Sequence, residues 1–129
     1  MKAIIREQFP GTAAAVQCAR TFIADALGGR GRADDAVLLV SELATNAVRH
    51  TVSGAPGGVF EVDVLVDGAC VHVEVHDGGG SGAPCVRARD DDAMNGRGVA
   101  IMEALADRWG YYRDEAGAVV WFELDSLAA

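Results

Sequence analysis

The sequence predicts an α+β fold: a two-layer α/β sandwich whose mostly antiparallel sheet carries its helices on one face. Three observations lead there. VFEVDVLVD (residues 59–67) and CVHVEVHD (residues 70–77) alternate apolar and polar side chains almost without a break, the period of a half-buried strand. Asp67-Gly68 between them is a hairpin turn signal. Two stretches of helical period precede that pair, and YYRD and AVVWFEL after it form a closing hairpin around Glu115-Ala116-Gly117.

Taken in order, AIIREQF is an edge strand ending at Pro10-Gly11. Thr12 then caps a helix running to about Leu27, with Val16, Ala19, Ile23 and Ala26 on its buried side, and Gly28-Gly29 stops it. A second helix starts near Asp34-Asp35, which suit the positive end of a helix dipole. Val37, Val40, Leu43, Ala44 and Ala47 form its apolar stripe to about His50, before SGAPGG breaks the chain. In the hairpin, Phe60, Val62, Val64 and Val66 share one face with Val71, Val73 and Val75, while Glu61, Asp63, His72, Glu74 and His76 take the other. Residues from Gly78 to Arg97 are rich in Gly, Asp, Arg and Pro without apolar period, the composition of a lid or binding loop. A third helix follows from about Gly98, carrying Ile101, Met102, Leu105 and Trp109. Trp109 and Trp121 are read as core residues. The expected order is β-α-α-β-β-loop-α-β-β in one domain spanning 1–129, with no repeat and no linker.

Composition narrows the function. Of 129 residues half are hydrophobic, enough for a sizeable core. The formal charge of −8 gives no global attraction to nucleic acid or anionic lipid, so neither is an expected partner. The N-terminal MKAIIREQFPG lacks the apolar run of a secretion signal, and no stretch is long enough to span a bilayer. Cys18, Cys70 and Cys85 suggest reduced thiols and a cytoplasmic protein. Metal ligation through Cys and His is disfavoured: His72 and His76 share a strand face but stand about 13 Å apart, too far for one ion. With Lys2 the only lysine there is no P-loop, and no dinucleotide fingerprint follows the first strand.

Three pieces could carry chemistry. On the second helix Glu42, Asn46 and His50 are spaced four apart, and Glu42, Asn46 and Arg49 fall within a narrow arc opposite the core stripe. Such an arc on an arbitrary helix faces water, but Leu38 and Leu39 share it one turn earlier. HDGGGSGAP sets Asp77 at a strand end before glycines that admit close approach of a ligand, where a carboxylate can accept a hydrogen bond from an exocyclic amine. NGRGVAIMEAL brackets Arg97 with Gly96 and Gly98 at a helix start, where free N–H groups and the dipole favour phosphate.

Each piece is weak alone; their order is specific. An E-x-x-x-N helix, a D-x-G strand end, a loop and a G-x-G helix start resemble the nucleotide-binding boxes of the ATPase superfamily that contains gyrase, the heat-shock chaperone ATPase, histidine kinases and the mismatch-repair ATPase. The resemblance spans about residues 36–110 and implies the sandwich of the Bergerat type. GRGVAIMEALADRWGYY and the short chain make it similar to the stand-alone anti-sigma-factor serine kinases of bacteria. The resemblance implies ATP and Mg²⁺ as cofactors. Asn46 would ligate Mg²⁺, Glu42 would act as general base, and Asp77 would read adenine. Gly79 would match the middle glycine of D-x-G-x-G, and Gly96, Arg97 and Gly98 would lie against the phosphates. Ser81 stands where the last glycine of that motif belongs, with Gly82 following. The implied partners are a sigma factor and an anti-sigma-factor antagonist, with a homodimer formed through the first strand or a sheet edge. Two functions fit. One is a protein serine kinase that also sequesters its partner. The other is a binding module in which ATP only tunes partner affinity. Glu42 favours the first, because a pure binder has no use for a base there; Ser81 favours the second.

Overall fold

A computed structural model describes residues 2–50, 57–78, 96–115 and 117–125. Its elements run β1 (Lys2–Pro10), α1 (Ala13–Leu27), α2 (Ala33–His50), β2 (Val59–Asp67), β3 (Cys70–Asp77), α3 (Gly96–Leu105), β4 (Arg108–Asp114) and β5 (Gly117–Leu124). This is the expected order.

Local signals account for most boundaries. The Thr12 side chain accepts a hydrogen bond from the Ala15 N–H at 3.2 Å, the bond of an N-cap. Gly28 closes α1, its N–H donating to the Ala24 carbonyl. Asp34 and Asp35 occupy the first turn of α2. β2 and β3 join through a two-residue loop, with Gly68 at φ +65° and Ala69 outside the positive region, the pattern of a type II′ turn.

The five strands form one sheet in the order β1-β2-β3-β5-β4, and every neighbouring pair is antiparallel. β1 is an edge strand. It meets β2 only after the chain has traversed α1 and α2, so the two helices lie against one side of the sheet. That side is lined by Phe60, Val62 and Val64, by Val71, Val73 and Val75, and by Val120, Phe122 and Leu124. Ala15, Ala19, Ile23 and Leu27 of α1, and Ala36, Leu39, Val40, Leu43, Ala44 and Ala47 of α2, complete the same core. The opposite side is polar and carries Asp63, His72, Glu74, His76 and Glu123.

Three expectations need correction. The third helix begins at Gly96, two residues early, and ends at Leu105, so Trp109 is not on it. Ala106 closes the helix by donating to the Met102 carbonyl, and the Asp107 N–H then donates to Glu123 at 3.0 Å, starting β4. Trp109 pairs with Phe122 in that strand and still packs against the core. Trp121 is not a core residue: it is half-buried on the outer face, stacked on His72 with ring centroids 5.4 Å apart.

Candidate nucleotide site

Asp77 is the last residue of β3, and alternation places it on the helix side in line with Val71, Val73 and Val75. That register calls for an apolar side chain; a carboxylate stands there instead, 7% exposed. Burying a carboxylate is costly unless something binds it, so its position is informative. Gly78 follows at φ +71° and turns the chain away from the sheet.

The backbone beneath Asp77 is shaped by β5. Asp77 pairs with Ala118, and Gly117 precedes it at φ +144°. A Cβ placed on Gly117 would stand 2.0 Å from the Asp77 carbonyl oxygen, so only glycine fits. Gly117 was not singled out in the sequence. A glycine next to a hairpin turn looks like turn punctuation, and its partner strand becomes visible only in the folded sheet.

α2 supplies the second buried polar group. Asn46 is 8% exposed, and with Asp77 it makes up the buried polar side chains among the described residues. The expected arc of Glu42, Asn46 and Arg49 opposite the core therefore does not face one environment: Asn46 is buried, Glu42 half-buried and Arg49 exposed. Neighbours explain the difference. α2 packs against α1, β2, β3 and α3, so more than one side of it is covered. Asn46 lies three residues beyond Leu43 and seven beyond Leu39, along one side of the helix. Leu39 is fully buried while Leu38 is 45% exposed, so the leucine pair divides between the two environments. His50 ends the helix backbone.

Gly96, Arg97 and Gly98 form the first turn of α3, whose leading N–H groups have no partner within the helix. α3 docks on α2, with Met102 buried and Ile101 and Leu105 packed against the core. Its far end is held by Arg32, which bonds to the Leu105 carbonyl and pairs with Asp107 at 2.7 Å. Arg32 also pairs with Asp35 on α2 at 3.2 Å. One guanidinium thus ties the helix bearing Asn46 to the helix that begins at Gly96. Gly79 and Ser81 lie outside the described residues, as do Cys85, the acidic run Asp90–Asp92 and the body of the expected lid.

Asp77 on the helix face of β3, Asn46 with Glu42 one turn before it on α2, and the first turn of α3 are thus contributed by elements that pack on one another, since α2 touches both β3 and α3. The arrangement offers a buried acceptor for an amine, oxygen donors for a hard cation and N–H donors for an anion.

Residues 9–124 match the family model described as histidine kinase-like ATPase domain. The chain is also similar to an anti-sigma F factor of Anoxybacillus flavithermus (strain DSM 21510 / WK1), 30% identical over 81 residues. The match covers 57% of this chain and 56% of that protein, so it spans little more than half the length of the relative.

Proposed function

Because the chain belongs to the histidine kinase-like ATPase domain family, we propose that it binds ATP with Mg²⁺ and transfers the γ-phosphoryl group to a serine of a partner protein, as an anti-sigma factor controlled by an antagonist. The observation that carries the nucleotide site is the burial of Asn46 and Asp77 on the helix side of an otherwise apolar sandwich. The regulatory reading is supported by the similarity to an anti-sigma F factor.

In this reading the Asp77 carboxylate accepts a hydrogen bond from the adenine amine, and Gly117 holds the strand end that presents it. Gly79 continues the adenine wall. The N–H groups of Gly96, Arg97 and Gly98, with the Arg97 charge, hold the phosphates. Mg²⁺ fits Asn46, whose carboxamide oxygen is a hard donor that would hold the ion together with phosphate oxygens, while the Glu42 carboxylate is kept for the proton. When bound, the ion neutralises charge on the phosphates. The serine oxygen forms the new bond to the γ-phosphorus as the bond to the β-phosphate bridging oxygen breaks. Glu42 takes the serine proton and ADP leaves. Positioning and charge supply most of this catalysis, which is why a small domain suffices.

Ser81, in place of the motif's last glycine, favours a second reading, in which ATP is bound and no phosphoryl group moves. Among the described residues no helix is long and apolar enough to cross a membrane. The similarity to an anti-sigma F factor supports the cytoplasm, beside a sigma factor, as the place where this reading has the protein act. The homodimer also belongs to this reading: edge strand β1 presents Ile4 and Ile5, 59% and 43% exposed. The deciding experiment is incubation with labelled ATP, Mg²⁺ and candidate antagonist proteins. Label on a partner serine supports the kinase; ATP binding by calorimetry without label supports the binding module.

A further inference from the structure

The outer face of the sheet, turned away from the helices and from Asp77, carries a second group of ionisable side chains. The β2–β3 register sets Glu61 opposite His76 and Asp63 opposite Glu74. Alternation turns all four away from the core, which takes Val62, Val64, Val73 and Val75. One donor atom from each of Glu61, Asp63 and His76 lies within 4.8 Å of the other two. Modest side-chain rotation brings three such atoms to the roughly 2.0–2.2 Å that imidazole and carboxylate ligands keep from a metal.

The Asp63 side chain makes the arrangement more than a cluster of like charges. Its Oδ1 is buried and has no hydrogen-bond partner among the described residues. Its Oδ2 reaches His76 Nε2 at 3.4 Å and Arg6 only at 3.8 Å. An unmatched buried carboxylate oxygen is costly, and a cation at this point would satisfy it. The His76 side chain is 32% exposed, so water can reach the open side and complete the coordination.

We propose that Glu61, Asp63 and His76 form a binding site for a divalent transition-metal cation, separate from the nucleotide site. The donor set selects the class. Imidazole nitrogen with two carboxylates suits Zn²⁺, Co²⁺ or Ni²⁺, whereas Mg²⁺ and Ca²⁺ take oxygen alone. No thiolate is involved: Cys70 is at the other end of β3, paired with Asp67. The spacing that keeps His72 and His76 from sharing an ion still holds; the partners of His76 come from the neighbouring strand. Glu74 Oε1 now lies 2.9 Å from His76 Nε2, and ligation through that nitrogen replaces this bond while Glu74 keeps His72 through Oε2 at 2.8 Å. His76 directly precedes Asp77, so a bound cation braces the strand end that carries the buried carboxylate.

The test is calorimetric titration of Zn²⁺ into nucleotide-free, chelator-treated, reduced protein near neutral pH. It is run on the unmodified chain, on His76→Gln and Asp63→Asn, and on a triple variant with Cys18, Cys70 and Cys85 changed to Ser. One equivalent should bind to the unmodified chain and to the triple variant, at least about tenfold more weakly to His76→Gln and Asp63→Asn. Excess Mg²⁺ should not compete. Zn²⁺ should raise the unfolding temperature of the unmodified chain and of neither site variant, a readout that also shows the variants are folded. Absence of binding to the unmodified chain, undiminished binding to both site variants, or loss in the triple variant would overturn the proposal.

Discussion

Gly117 lies so close beneath Asp77 that a single added carbon, its missing Cβ, would stand 2.0 Å from the Asp77 carbonyl oxygen. The residue also sits at φ +144°, a conformation that L side chains rarely adopt. Gly117→Ala should therefore move the end of β3, lower stability by about 1–3 kcal/mol and weaken ATP binding by about tenfold or more. Gly110→Ala is the matched control. The atoms nearest its Cβ belong to the Trp121 side chain, at 3.0–3.2 Å, so ATP affinity should hold. Thermal unfolding and calorimetry on both variants check this.

Asp77 itself tests nucleotide choice. An aspartate that reads the adenine amine favours ATP over GTP, which has a carbonyl at that position. Asp77→Asn should weaken ATP by about 1.5–3 kcal/mol, the worth of a hydrogen bond to a charged group, and narrow the ATP preference. Equal affinity of the unmodified chain for the two nucleotides would remove adenine reading from Asp77.

Arg32 combines strain and bonding. It is the non-glycine residue with positive φ among those described, at +71°. Its guanidinium reaches Asp35, Asp107 and the carbonyls of Leu105 and Asp125. Arg32→Ala loses those bonds and keeps the strain; Arg32→Gly loses both. Both should be less stable than the parent, and the glycine variant should exceed the alanine variant by about 1 kcal/mol in denaturant unfolding. Alanine equal to glycine would show that the backbone carries no strain there.

The outer face predicts how stability varies with pH. Burial and the neighbouring Glu61 push Asp63 up to about 6 from an ordinary 3.8. Folding then favours the protonated acid, and stability falls as pH rises from the ordinary value through the raised one. His72 is raised too: burial pulls it down, but Glu74 and Glu123 on either side outweigh this. Its contribution is present below its ordinary pKa of 6.5 and is lost as pH rises through the folded value. Both act in the same direction. Hydrogen bonds hold Glu123, Asp107 and Asp125 below their ordinary values, which opposes this only in the acid range. The unfolding temperature in chelator should therefore decline from about pH 5 to above pH 7. Asp63→Asn should flatten the acidic part of that slope and be the more stable protein at pH 8. Identical profiles would contradict the assignment.

What could be read from the chain, and what could not, follows the range of the interactions involved. The Thr12 cap, the acidic first turn of α2 and the β2–β3 alternation are set by residues within a few positions of one another, and they came out as expected. The places in the fold of the motifs proposed for nucleotide were legible because they rest on residue type and order: Asp77 at a strand end, Gly96 to Gly98 at a helix start. Side-chain environments were not legible where distant segments decide them. Leu38 and Leu39 marked the arc of Asn46 as more than a solvent face, but nothing local announces how α2 packs against α3 and β3 to bury it. Trp109 extended an apolar helical pattern, yet its backbone found a better partner in β5. Gly117 beneath Asp77 and Glu61 beside His76 both depend on strand register, which alternation alone leaves open.

The central claim is that Glu42 and Asn46, one turn apart on α2, do different work, and one pair of variants measures it most directly. Asn46→Ala removes the oxygen assigned to Mg²⁺ and should lose Mg²⁺-dependent ATP binding and transfer together. Glu42→Gln keeps shape and hydrogen bonding but removes the base, which matters in the transition state and hardly in the ground state. Calorimetry with Mg-ATP, paired with transfer of label to a partner serine, should show Glu42→Gln binding ATP within a few-fold of the parent while phosphorylating about 10²–10⁴ times more slowly. Phosphorylation by Glu42→Gln at the parent rate would contradict the account.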